Sequence, residues 1–328
     1  MTARKISTLF LAGLMSFALF GAAQPASVAA LTAAGRIYVG FDVNGGNTGC
    51  DDPMFGVTTH GAKQAIGHAL REASNGDTVY LCGGTYDLTT GIQIRAGWWD
   101  LDEVSIQGAG DGDTVLDGDG DTRILIIHGP IDVSIRDLEF YDGYANEGGA
   151  ICQDGYSNLL VENVTFDSNY STSFGGAIGC TDGSSLTVLD STFTNNYAEL
   201  HGGAIDVHQD NGTVIRRSVF VNNHSEEEGG ALGSNGSDLT VTNSEFTGNT
   251  SDLHGGAIWY PRESGLIATR NIFTKNEALL SGGAISLLDN RSSRVVAKRL
   301  LATNKFRQNR TDSMQGAKIG YYGFNWMP

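Results

Sequence analysis

In the middle of the chain, hydrophobic positions alternate with polar or mixed ones. Leu159/Val161, Leu186/Val188 and Leu239/Val241 stand seven and five residues before Phe166, Phe193 and Phe246. Successive side chains on a strand point to opposite faces, so this alternation predicts strands with one apolar face. A second apolar column comprises Ile151, Ile178, Ile205, Leu232, Ile258 and Ile285. Each of these follows a Gly-Gly-Ala motif beginning at 148, 175, 202, 229, 255 or 282, at spacings of 27, 27, 27, 26 and 27. Between the motifs lie Phe-x-x-Asn pairs: Phe166/Asn169, Phe193/Asn196, Phe220/Asn223, Phe246/Asn249 and Phe273/Asn276. A unit of fixed length repeated this often is a solenoid. Each unit supplies at least two short strands, which stack at about 4.8 Å into parallel sheets with like residues above like.

The polar members of the repeat have a physical place in such a stack. An Asn at the same turn of every coil can bond its amide to the next coil, and Asn tolerates a left-handed backbone. Gly-Gly before a strand suits a tight corner where side chains would collide. A leucine-rich repeat also falls within this period, but it needs a Leu framework and usually a helical half. Here the other half is Gly, Ser, Thr and Asp, which are poor helix formers. The expected fold is therefore all-β, a right-handed parallel β-helix of 27 residues per coil.

The ends of the stack read differently. Ala62, Ala65, Ile66, Ala69, Leu70 and Ala73 form an apolar stripe at helical spacing, stopped by Asn75-Gly76, which predicts one helix over 61–75. It is placed to cap the open end of the coil stack. Short strands follow at 78–81, 92–94, 104–106, 114–116, 124–127 and 133–135. A worn copy of the repeat appears at Phe306/Asn309 and Gly316-Ala317 after a six-residue insertion, with Tyr321, Tyr322, Phe324 and Trp326 as an aromatic lid. The resulting organisation is a leader over 1–30, a cap and irregular coils over 31–147, regular repeats over 148–290 and a basic last coil with a C-terminal cap over 291–328.

Arg4 and Lys5, an apolar run from Leu9 to Ala23 and small residues at Ser27-Val28-Ala29-Ala30 predict a secretory signal peptide. The chain is expected to be secreted, with no transmembrane segment after cleavage. Without Arg4 and Lys5, 19 of the 21 Lys+Arg remain against 37 Asp+Glu, a net charge of −18. Residues 31–290 hold 11 basic and 36 acidic side chains, whereas 291–328 hold 8 and 1. An acidic body repels nucleic acid and anionic membranes, and the basic tail is expected to fold back on it. Four cysteines suit an oxidising compartment and permit three pairings. Cys50–Cys82, both before the regular repeats, and Cys152–Cys180, on consecutive coils, are the favoured bridges. The second pair is offset by one residue relative to its motif, which tends to point the two to opposite faces.

The Gly-Gly-Ala-Ile and Phe-x-x-Asn pair resembles the repeat of chlamydial polymorphic outer-membrane proteins and of bacterial parallel β-helix proteins of the pectate-lyase-like superfamily. The stretch Ala65-Ile66…Ala69-Leu70…Gly76-Asp77-Thr78-Val79-Tyr80-Leu81-Cys82-Gly83-Gly84-Thr85-Tyr86 is similar to the start of that domain. The resemblance spans roughly 35–320 and implies the fold. Cys50-Asp51-Asp52-Pro53 with Cys82 resembles a cysteine pair of exported members, which implies that bridge. The superfamily holds lyases, hydrolases, epimerases and adhesins, so the resemblance implies no single activity. The chain departs from the pectate lyases in lacking an Arg-x-Pro-x-x-Arg stretch, and it shows no polygalacturonase-like acid set.

The column just before Gly-Gly-Ala reads Glu147, Phe174, His201, Glu228, His254, Ser281. His201, Glu228 and His254 are expected on consecutive coils, with Asp206, His208, Asp210, Glu226, Glu227 and Asp252 nearby. This densest His/carboxylate patch is a candidate cation site or an acid/base pair on a saccharide groove, with a solvated turn-rich face as the structural alternative. Trp259 and Tyr260 are the candidate sugar-stacking platform. Asp111, Asp113, Asp117 and Asp119 place oxygens at odd spacing, the candidate Ca²⁺ ligands, without the closing Glu of an EF-hand. A third column, Asp137, Asn163, Asp190, Arg217, Asn243 and Arg270, predicts a cross-strand charge ladder. The expected function is binding of extracellular polysaccharide or a surface by a monomer that requires no cofactor, with Ca²⁺ as the one candidate ion. A polysaccharide lyase or glycoside hydrolase and a purely structural or adhesive protein are the alternatives.

Overall fold

The structure, a computed structural model, describes residues 36–39, 62–97, 101–110, 112–180, 183–208, 212–236, 238–262, 265–288, 290–312 and 318–322. The predicted leader, Cys50, Asp111, Asp210, Gly316-Ala317, Phe324 and Trp326 lie outside them. The described chain is a parallel β-solenoid whose coils contribute to three sheets of sixteen, nine and seven strands.

The first sheet carries the alternating Leu/Val pattern and the Phe column. Its paired strands set Leu159 beside Leu186, Val161 beside Val188 and Phe166 beside Phe193, all in register. The six phenylalanines from Phe140 to Phe273 are fully buried and stack nearly parallel, with Phe193 and Phe220 centroids 4.8 Å apart at 6°. The second sheet extends the Ile column to nine coils, from Ile92 through Ile205 to Ile319. Like residues meet because one period advances the chain by one coil, so the sequence repeat becomes a spatial column.

The Asn column forms the expected ladder. Asn196 donates from its backbone N–H (3.1 Å) and from Nδ2 (2.9 Å) to Asn223 Oδ1, and from Nδ2 to Phe166 O at 3.0 Å. The left-handed residue is the one before it, at Ser168, Asn195, Asn222, Gly248, Lys275 and Gln308. The Asn itself is freed from turn geometry and spends its amide on the neighbouring coil. A second ladder, unforeseen in the sequence, runs through Ser191, Ser218, Ser244 and Asn271, where Ser244 N–H donates to Asn271 Oδ1 at 2.9 Å. Both glycines of the motif are required. Gly202 has φ +65°, and a Cβ on Gly203 would stand 2.2 Å from the carbonyl oxygen of Gly230 on the next coil.

Helix α1 (Ala62–Glu72) buries Ile66, Ala69 and Leu70 against the first coils, as its apolar stripe predicts. The structure adds a second helix, α2 (Arg291–Thr303), where the sequence reading has only an insertion. Asn290 caps it by accepting from Ser293 N–H at 2.8 Å. The helix lies over the strand Leu266–Thr269, which among the described residues has no further strand beside it on that side. Arg299 Nη2 donates to Leu266 O, and Asn304 Nδ2 donates to Ala268 O at 2.8 Å, which satisfies carbonyls an open edge would expose. The basic tail thus ends the stack, and Arg310 falls in register with Glu277.

Candidate functional site

The corner column forms as the repeat predicts: Phe174, His201, Glu228, His254 and Ser281 pair in register on successive coils. Main-chain bonds fix it, with Gly202 N–H donating to Glu228 O at 2.9 Å and Gly229 N–H to His254 O at 2.8 Å. These bonds are made by the main chain whatever the side chain, so the residue type can vary along the column. A second column on the adjoining strand reads Cys152, Gly179, Asp206, Gly233, Trp259 and Ser286. It alternates with core residues such as Ile205 and Val207, so it lies on the side away from the core, against the glycine corner.

Asp206 is the central group of this corner. It is only 1 % exposed, because it packs over Gly233, whose added Cβ would meet Asp206 Oδ1 at 2.2 Å. His208, two residues on and on the same face, brings Nδ1 to 2.5 Å from Asp206 Oδ2. His201 reaches the same place from the corner column, with Nε2 at 3.0 Å from Glu228 Oε2 and 3.4 Å from Glu227 Oε2. Phe174 walls one side, its ring 4.8 Å from that of His208 and 5.1 Å from that of His201. Trp259, two coils beyond His201, reaches back across Gly233 to a centroid separation of 4.8 Å.

The imidazoles respond to these surroundings. Burial alone would favour neutral His201, but the hydrogen bond that its Nε2 donates to Glu228 and the charges of Asp206 and Glu228 outweigh it and raise its pKa above the ordinary histidine value. His208 is raised in the same way: burial opposes, and the bond and charge of Asp206 with the charge of Glu147 prevail. His254 differs. Its Nδ1 shares a hydrogen bond with Ser281 Oγ at 2.9 Å, and burial lowers its pKa despite Glu228. The structure therefore brings His201, Glu228, Asp206, His208 and Glu227 together and leaves His254 beside them, turned to Ser281. Glu226 is engaged by the Tyr197 hydroxyl, and Asp252 is exposed.

Other expectations need correction. Tyr260 is 1 % exposed and belongs to the core, so its ring cannot hold a sugar, while Trp259 is buried against His201. Asp113, Asp117 and Asp119 do not converge as ligands; among the described residues the only groups of three His, Cys, Asp or Glu donors close enough for one ion are those around His201. Asp117 instead accepts from Asp119 N–H at 2.8 Å, a turn bond, and burial with the charges of Asp87, Asp142 and Asp119 raises its pKa. Cys152 is a free, buried thiol, so the Cys152–Cys180 bridge does not form. The register sets Cys152 beside Gly179 and Cys180 beside Gln153, on alternate positions of the strand. The Cys50–Cys82 pairing involves a residue outside those described. The charge ladder appears where Arg217 grips Asp190 through Nε (2.7 Å) and Nη2 (2.6 Å), and Asn163 donates to Asp137 at 2.8 Å. That column is also a corner, since all six of its residues have φ between 50° and 59°.

One outward feature escaped the sequence reading. Tyr144, Tyr170 and Tyr197 stack on the third sheet with centroids 5.3 and 4.9 Å apart. The Tyr170 hydroxyl donates to Glu199 at 2.6 Å and that of Tyr197 to Glu226, and both phenols are raised, Tyr170 to about 12. The signal was present, because Tyr170 and Tyr197 each follow the Asn of the repeat. Among the described residues no helix is long and apolar enough to cross a membrane.

No curated protein matches the chain. The model for the right-handed β-helix region matches residues 90–260, which is more than half of the chain and includes the whole His201 corner. With three parallel sheets wound from one repeat, the chain belongs to the right-handed β-helix family.

Proposed function

We propose that this protein is exported and binds an extracellular polysaccharide along the strip formed by the tyrosine stack and the adjoining His201 corner. The observation that carries the reading is the stack itself. Tyr144 lies on the terminal strand of the third sheet and is 42 % exposed, so its outer ring face is open, while Glu199 and Glu226 stand beside the phenols. Sugar rings stack on aromatic faces and donate hydroxyls to carboxylates, and a solenoid repeats such a platform along its axis. The net charge of the body disfavours polyuronates and favours neutral or cationic glycans.

Cleavage of the bound chain is the second reading, favoured by the His201–Glu228 contact at 3.0 Å, which pairs a protonatable imidazole with a carboxylate. A glycan array with added divalent cation and with chelator, read for retention and for released product, tests both. Saturable retention of one glycan class without product supports the binding reading, and Tyr144→Ala is then expected to weaken it about tenfold, the loss of a stacking contact of about 1.4 kcal/mol. Released oligosaccharide replaces it with the catalytic reading. Silence across the array, or retention unchanged in Tyr144→Ala, overturns it.

A further inference from the structure

A polysaccharide strip gives no reason for a carboxylate as deeply buried as Asp206. A buried polar atom without a partner loses the hydrogen bond that water would give it, and the loss is larger when the atom is charged. Among the described residues, Asp206 Oδ1 has no hydrogen-bond partner, and neither does the buried Nδ1 of His201. Two unpartnered donor atoms in one corner, one on a carboxylate and one on an imidazole, leave room in their bonding for an ion.

The arrangement around them fits one. A donor atom from each of His201, Asp206 and His208 lies within 4.8 Å of the others. Ligands of a tetrahedral zinc ion, at about 2.0–2.1 Å from the metal, stand about 3.3 Å apart, so closure takes side-chain movements of about 1–1.5 Å. The proposed closure is a turn of the His201 and His208 imidazoles, whose side chains are 17 % and 22 % exposed. His201 Nε2 is held by Glu228 and Glu227, and metal-bound imidazoles characteristically give their second nitrogen to a carboxylate. Gly233 completes the cradle, since any side chain there would displace Asp206 Oδ1.

We infer that His201, Asp206 and His208 bind a divalent transition ion of the zinc class, with Glu228 and Glu227 orienting His201. Two imidazoles and one carboxylate suit zinc, whereas calcium takes oxygen donors. Three protein ligands leave a fourth position for water or a substrate oxygen. This inference stands on the corner's own geometry and does not depend on polysaccharide binding.

The test uses tag-free full-length protein, stripped with chelator, titrated with ZnCl₂ by calorimetry and with CoCl₂ by visible absorption. The expected result is one equivalent of Zn²⁺ bound, intense visible bands with Co²⁺, and binding weakened at least tenfold by Asp206→Asn or His208→Gln. Glu228→Gln is expected to weaken it about tenfold, the size typical of an orienting partner. His128→Gln, on another coil, is expected to leave it unchanged. Should Asp206→Asn fail to fold, His208→Gln, at a partly exposed side chain, carries the test alone. Absence of saturable Zn²⁺ binding, equal affinity in His208→Gln, or preference for CaCl₂ over ZnCl₂ overturns the inference.

Discussion

The phenylalanine column and the corner column climb the same coils, yet one repeats a single residue and the other changes at nearly every step. Inside, Phe166, Phe193, Phe220, Phe246 and Phe273 each serve as the floor for the next, with ring separations of 4.6 to 4.9 Å. A change at one rung leaves two neighbours badly packed, so uniformity is enforced from both sides. At the corner the main chain sets the register through bonds such as Gly202 N–H to Glu228 O at 2.9 Å, and contacts such as His201–Glu228 and His254–Ser281 add to it. No single residue type is required at every rung. Chemistry collects where the structure does not need the side chain.

The contrast predicts unequal costs for substitution. Asn223 accepts from Asn196 twice and donates to Phe193 O at 3.0 Å, all in the buried ladder. Asn223→Ala strands those partners, and the expected loss is about 3 kcal/mol, two or three buried groups at about 1–3 kcal/mol each less partial relaxation. His201→Gln, one column away, is expected to cost less than about 1 kcal/mol, because its contacts with Glu227 and Glu228 are partly exposed. Urea unfolding of both variants measures the difference. Equal losses would mean that the corner side chains also hold the coils together.

The pH dependence sharpens the comparison within the corner itself. The folded pKa of His201 is raised above its ordinary value near 6.5, so the folded state binds the proton more tightly than the unfolded chain. Its contribution is full below about 6.5 and is lost as pH rises through the raised folded value. The folded pKa of His254 is lowered, so its contribution is present above about 6.5 and is lost as pH falls through the lower value. The stability gap between wild type and His201→Gln should therefore shrink on going from pH 6 to pH 9, and that for His254→Gln should shrink from pH 7 to pH 5. Parallel trends in the two variants would show that the corner does not distinguish its two histidines.

What could be read from the sequence follows the same division. Phe, Ile and Asn columns were legible because each coil repeats the statement, and alignment alone recovers the register. The corner column was legible as a departure from that repeat. The burial of Asp206 was not, because it depends on a glycine one coil away, at Gly233, and on Trp259 leaning across it. Tyr260 was misplaced because one residue along a strand reverses its face. Helix α2 hid inside an insertion, since a helix that replaces a strand leaves the repeat on either side intact.

The smallest effect concerns Cys152, where that same one-residue offset decides the chemistry. Had the two cysteines shared a register position, consecutive coils would have brought them within bridging range. Instead Cys152 faces Gly179 across the strands and stays a buried thiol. Burial pushes its pKa to about 11 from 9.0, with Arg123 opposing weakly. At pH 8 the thiolate, the reactive form, is then about a hundredfold scarcer than for an ordinary thiol. Alkylation by iodoacetamide, followed at Cys152 by peptide mass mapping, should be slower than in the urea-unfolded chain by at least that factor, since limited access adds to the raised pKa. Folding stability should be nearly unchanged in Cys152→Ser, because no bridge is lost and one sulfur becomes one oxygen beside a glycine. A rate equal to that of the unfolded chain would mean that this edge of the corner opens readily, and that the outer columns are held far less firmly than the interior ones.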